Sequence, residues 1–232
     1  QTDGVYDIEK TSDGGYIVLG YTHTFDDQGI KVWKLNSQGD LEWSTTYSQG
    51  LVGKAIEETS DGGFVICGNT RPGEDTSDLV VIKTNHQGEV EWNQNFGGDQ
   101  RDEIATDIHQ AADNGFIVSG YKHDALINGV REDADAWFIK LNEDGYISWE
   151  KTYGGDKYDI PNSIAETGDG LFVFVGKTYS YSSGSNSDQW VGKLDSYGDK
   201  VWFKTYGKDG GDSLKDVELL DCGDILACGH TY

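Results

Sequence analysis

One phrase of ten residues returns five times along this chain, and its period constrains the fold more than any other feature. It reads Asp-Gly-Gly-Tyr-Ile-Val-Leu-Gly-Tyr-Thr from Asp13 and Asp-Gly-Gly-Phe-Val-Ile-Cys-Gly-Asn-Thr from Asp61, and it returns from Asp113, Asp169 and Cys222. Successive copies start 48, 52, 56 and 53 residues apart. Such a period marks a supersecondary unit that cannot bury its apolar face alone and must stack on its neighbours.

Each period divides into four strands. The first is centred on Ile8, Ile56, Ile108, Ile164 or Val217, and the recurring phrase supplies the second, entered through an Asp-Gly turn of the hairpin kind. The third reads Val32-Trp33-Lys34-Leu35, Val81-Ile82-Lys83-Thr84, Phe138-Ile139-Lys140-Leu141 and Val191-Gly192-Lys193-Leu194. The fourth carries Trp43, Trp92, Trp149 or Trp202, with Tyr47, Phe96, Tyr153 or Tyr206 four residues on. Apolar residues nowhere recur at helical spacing, so the chain is all-β. The expected fold is a β-propeller of about five four-stranded blades, with the fifth lacking its outer two strands. As a single domain over 1–232, its repeats run 1–48, 49–98, 99–154, 155–207 and, in part, 208–232. The repeated Trp is expected to pack between blades. Gly20, Gly68, Gly120, Gly176 and Gly229 close the second strands, where a side chain would crowd a neighbour.

The ends carry expectations of their own. Gln1 reads as the start of a processed or excised segment. The second strand of the fifth blade would be an open edge, which invites pairing with another copy and hence a homo-oligomer.

Charge narrows the partners. The formal net charge is −23, which excludes the basic footprint that nucleic acid requires and disfavours anionic membrane surfaces. No apolar run is long enough for a membrane-spanning helix. The loops of one propeller rim hold 17 acids against 6 bases, and those of the other hold 12 acids against none. Acid coats both faces, so neither is singled out. Three cysteines, Cys67, Cys222 and Cys228, form neither a disulfide framework nor a metal motif. Cys67 and Cys228 share one strand slot and are expected to be small buried residues.

The repeated pattern, an Asp-Gly-Gly-Tyr-Ile-Val-x-Gly strand followed by Trp-x-x-Lys-Leu-Asn-x-x-Gly, resembles the β-propeller repeats of secreted and cell-surface prokaryotic proteins. The likeness covers the whole chain and specifies blades rather than chemistry. It implies an extracellular or cell-surface setting, with other protein chains or glycans as partners. The fifth unit departs most, with Cys222-Gly223-Asp224 in place of the turn.

Candidate sites are few. Polar-tipped aromatics spaced by two leave the second strands: Tyr21 and His23, Tyr121 and His123, Tyr179 and Tyr181. On a strand this spacing puts both rings on one side, where sugars can stack, although packing beneath the loops serves equally. Paired acids recur after the fourth strand: Asp99, Asp102 and Glu103; Asp156 and Asp159; Asp209 and Asp212. They are candidate ligands for structural calcium, against the plainer reading as solvated turn acids. The loop at 122–135 is the longest on its rim and the expected functional insertion.

No nucleophile elbow, phosphate loop or zinc spacing occurs. The leading expectation is therefore a non-catalytic structural or interaction module, not an enzyme. A glycan-binding module with an aromatic rim is the first alternative. A glycoside hydrolase or lyase using channel-mouth carboxylates is the second.

Overall fold

The computed structural model describes residues 2–23, 29–70, 76–98, 101–123, 133–208, 210–220 and 222–231. They contain eighteen strands and no helix. The first sheet is β1 (Thr2–Lys10), β2 (Tyr16–His23), β3 (Gly29–Leu35) and β4 (Leu41–Gln49), in that order. The second is β5 (Leu51–Glu58), β6 (Phe64–Thr70), β7 (Leu79–Thr84) and β8 (Val90–Phe96). The third is β9 (Glu103–Gln110), β10 (Phe116–His123), β11 (Ala134–Leu141) and β12 (Ile147–Tyr153). The fourth is β13 (Asp159–Glu166), β14 (Phe172–Thr178), β15 (Asp188–Leu194) and β16 (Lys200–Tyr206). The fifth is the hairpin β17 (Ser213–Leu219) and β18 (Ile225–His230). This is the propeller arrangement, four complete blades and the inner two strands of a fifth. No described helix is long and apolar enough to cross a membrane.

The chain divides into two compact units, Gln1–Gln110 and Ala111–Tyr232. In the first, Ile17, Leu19, Ile30, Val32, Ile56, Phe64 and Ile66 form one buried cluster. In the second, Phe138, Ile164, Phe172, Phe174 and Trp190 anchor a cluster of larger rings, with Val173, Val175, Leu214 and Val217 in a smaller one.

The recurring phrase has a structural cause. In the first turn the Thr11 amide donates to the Gly15 carbonyl at 3.0 Å. The Asp13 carboxylate closes that turn, accepting from the Thr11 hydroxyl at 2.6 Å and the Gly15 amide at 2.8 Å. It also accepts from Lys34 Nζ, the lysine of the third strand. Asp61 with Lys83 and Asp113 with Lys140 repeat the lock. A Cβ at Gly15, Gly63 or Gly115 would strike both the carbonyl that ends the third strand and the lysine amine. Where Leu171 replaces that glycine, Lys193 still reaches Asp169 at 2.9 Å, but its side chain is three times as exposed as that of Lys34, 19% against 6%. At Gly20, Gly68, Gly176 and Gly229 a Cβ would strike a first-strand carbonyl beside a bulge, which explains these glycines.

The tryptophan and tyrosine of the fourth strand clamp the next repeat. Tyr47 Oη donates to the Gly88 carbonyl at 2.9 Å, and a Cβ on Gly88 would press on the Trp43 ring. In the second unit Tyr153 Oη donates to Gly198 O at 2.7 Å and Trp149 Nε1 to Ser196 O at 2.9 Å. These rings are committed to packing between repeats. Cys67 is buried, but Cys228 is exposed, because among the described residues β18 pairs with β17 and with no third strand.

Candidate active site

Polar side chains of the first strands serve the scaffold. Asp7 Oδ2 accepts the Ile56 amide at 2.9 Å, tying β1 to β5. Ser163 does the same in the second unit, accepting the Val217 amide at 3.4 Å and donating to Asp216 Oδ1 at 3.1 Å.

The rim residues of the second unit make a different arrangement. Tyr121 and His123 are close to the end of β10, and their rings meet edge to face at 5.5 Å. His123 meets Tyr158, just before β13, at 5.7 Å. All three are half-buried, so one edge of the cluster faces solvent. His123 Nδ1 lies 3.2 Å from the Asp133 carbonyl oxygen. With Nδ1–H donating to that carbonyl, Nε2 is left as an acceptor. Burial pushes the His123 pKa down, opposed by the Asp133 carbonyl and carboxylate, so the ring is neutral at pH 7. Burial, then the neighbouring Tyr158, pushes the Tyr121 phenol up.

Two carboxylates head the third strand here. Asp133 and Asp135 are both half-buried. The Asp133 carboxylate acts on His123, whereas Asp135 pairs with Lys122 and lies on the other face of the sheet from Tyr121 and His123. Behind Asp135 lies Asp159, fully buried, which accepts from the Thr178 hydroxyl and from the Gly155 amide at 3.1 Å. A Cβ on Gly154 would collide with Asp135 Oδ1 and lie 3.0 Å from Asp159 Oδ2. Tyr181 closes the side, its hydroxyl donating to Gly154 O at 2.6 Å. Its phenol is pushed up by burial and then by the charges of Asp159 and Asp135.

The other expected residues are dispersed. Tyr21 packs on Tyr6 at 5.2 Å in the first unit, and the side chain of His23 lies outside the described residues. Tyr179 and Tyr181 follow the end of β14, so strand alternation does not pair them. Tyr179 sits under Lys177, 5.6 Å from ring centre to amine. Asp156 is exposed, and Asp99 and Asp209 lie outside the described residues. Asp102 accepts the Ser77 amide at 2.8 Å. Glu103, Asp159 and Asp212 are buried, each against an aspartate at the head of a third strand: Asp78, Asp135 and Asp188. Those three partners were missed. Their signal was an Asp recurring in register before the third strand, whose acidity was lost among so many rim acids. Within the 122–135 loop, residues 124–132 lie outside the described residues, while its stems carry His123, Asp133 and Asp135.

No family model and no curated protein matches this chain. Solved structures do. A thermostable family-43 glycoside hydrolase aligns at TM-score 0.57 and 12% identity, covering 100% of this chain and 85% of that one. A putative exo-beta-1,3-galactanase from Bifidobacterium bifidum s17 aligns at TM-score 0.57 and 15% identity, over 92% and 76%. An endo-arabinase from Bacteroides thetaiotaomicron VPI-5482 aligns at TM-score 0.52 and 11% identity, over 97% and 90%. At such identities the likeness establishes the propeller fold. It also corrects the leading expectation: these propellers are named as a glycoside hydrolase, a putative galactanase and an arabinase, so the readings as a non-catalytic module and as a non-enzyme are withdrawn. Paired carboxylates leave no sequence motif, and their separation is set only by the fold.

Proposed function

We propose that this chain is the propeller of an extracellular glycoside hydrolase, binding a glycan over Tyr121, His123 and Tyr158. The observation that carries the reading is the half-exposed, polar-tipped aromatic cluster of Tyr121, His123 and Tyr158, with His123 Nδ1 on the Asp133 carbonyl and the carboxylates of Asp133 and Asp135 on the strand stem that follows. A sugar ring stacks on the aromatic faces while its hydroxyls take hydrogen bonds from the tyrosines and give them to neutral His123. Asp135 is assigned as the carboxyl that delivers a proton to the leaving oxygen, and Asp133 as the base that activates water.

The test is hydrolysis of arabinan, β-1,3-galactan and a panel of aryl glycosides, with product stereochemistry read by NMR. Asp135→Asn and Asp133→Asn are expected to lower kcat by about 10²-fold or more with the fold retained. Tyr121→Ala is expected to raise KM. Full activity in both aspartate variants, or no cleavage of any glycan, overturns the reading.

A further inference from the structure

Asp188 opens β15, and Asp212 stands immediately before β17. They are 4% and 2% exposed. Asp188 Oδ2 accepts the Ser183 amide at 3.1 Å, and Asp212 Oδ2 accepts the Lys208 amide at 3.2 Å. The Oδ1 atom of each is buried without a hydrogen-bond partner. The two carboxylates meet at Gly207, where a Cβ would collide with Asp188 Oδ1 and lie 2.8 Å from Asp212 Oδ2. Oxygens of the two groups are therefore within about 5 Å of each other. Backbone ties hold the walls in place: the Asp212 amide donates to Ser187 O at 2.7 Å, and Ser187 Oγ donates to Asp212 O at 3.0 Å.

Neutral amides do not offset two adjacent buried negative charges, and each unsatisfied oxygen adds to the cost. A hard divalent cation offsets both at once and takes the oxygens as ligands. We propose that the Asp188–Gly207–Asp212 pocket is a calcium-type cation site, one that locks the fourth blade to the hairpin after it.

The repeats supply an independent argument. Asp78 with Glu103 and Asp135 with Asp159 occupy the same two positions around Gly97 and Gly154. In the first repeat the strand registers put Gly29 and Leu51 at those positions, so both acids are replaced together. Acid at both positions or at neither is the pattern a shared ligand imposes, whereas solvated turn acids would vary singly. Glycine between them keeps open the space that a side chain would fill.

The experiment is calcium titration of chelator-treated protein by calorimetry and thermal melting. Wild type is expected to bind calcium and to melt at higher temperature with it. Asp188→Asn and Asp212→Asn are expected to lose one site of the stoichiometry, or to bind there at least tenfold more weakly. In chelator alone each should melt no lower than wild type, because one of the two repelling charges is gone. Should the variants fail to fold, terbium luminescence of wild type decides. Excited through Trp190, two residues along β15, it should appear on titration and be displaced by calcium. No heat, no melting shift and no terbium signal in wild type would overturn the proposal, as would full stoichiometry and affinity in a folded Asp188→Asn, Asp212→Asn double variant.

Discussion

Lys34 Nζ lies 2.7 Å from Asp13 Oδ2 and 3.2 Å from Glu42 Oε2, with the lysine side chain only 6% exposed and both acids open to water. A buried ammonium thus reaches out to the tip of its own blade's hairpin and staples the second, third and fourth strands together. Lys34→Ala removes three hydrogen bonds from a charged donor, counting the one to Leu35 O. It is expected to cost about 2–3 kcal/mol in urea denaturation, more than Lys193→Ala at the half-exposed copy. Equal costs for the two would refute the lock.

The same locks set the acid limb of stability. Burial raises the Asp61 pKa, but bonds from Thr59, Lys83 and Gly63 outweigh it and hold the group at about 2. Asp169, held first by Thr167 and then by Lys193, also lies at about 2. A carboxylate depressed in the folded state stabilises above its unfolded pKa, near 4, and loses that contribution as pH falls through its folded value. Stability should therefore decline between about pH 4 and 2. Asp61→Asn should flatten that decline in circular dichroism melts taken across the window.

Tyr47 is buried, its phenol pushed up by burial to about 12 although Thr84 opposes, and its hydroxyl is satisfied by Gly88 O. Tyr47→Phe leaves that buried carbonyl short of a partner and is expected to cost about 1 kcal/mol. The second repeat carries Phe96 at the matching position, so the variant should fold normally and differ only in its denaturation midpoint.

His123 reports on the candidate active site. Its pKa is depressed by burial, so the folded state favours the neutral ring, and this contribution is lost as pH falls below about 6.5. Glycan affinity should fall with it, since a protonated ring no longer accepts a hydroxyl hydrogen bond. His123→Gln should remove that acid-side loss in binding titrations from pH 7.5 to 5. An unchanged profile would exclude the role.

Thiol labelling separates the cysteines. Cys67 is fully buried and its thiol is pushed up, chiefly by burial, whereas Cys222 and Cys228 are exposed. A thiol reagent at neutral pH should label two groups quickly in native protein and the third only on unfolding.

The strands, their order within each blade and the incomplete fifth blade were legible in the sequence, because period-two alternation and turn chemistry act between near neighbours. The lysine of the third strand and the aspartate of the turn were both visible as repeats, yet nothing local showed that one was buried against the other. Cys228 shows the reverse failure: its slot predicted burial, but burial depends on a covering strand, and among the described residues β18 has none. The site was half legible. Tyr121, His123, Asp159 and Asp212 stood out by spacing, while Tyr158, Asp135 and Asp188 did not, because acids and aromatics crowd every rim loop. By itself the sequence determined a repeating antiparallel scaffold, since those rules operate over two to ten residues. Only the tertiary structure decided which carboxylates face each other in the dark of a blade junction and which remain half in water, since that depends on residues 24 or more apart in the chain and on the glycine left between them.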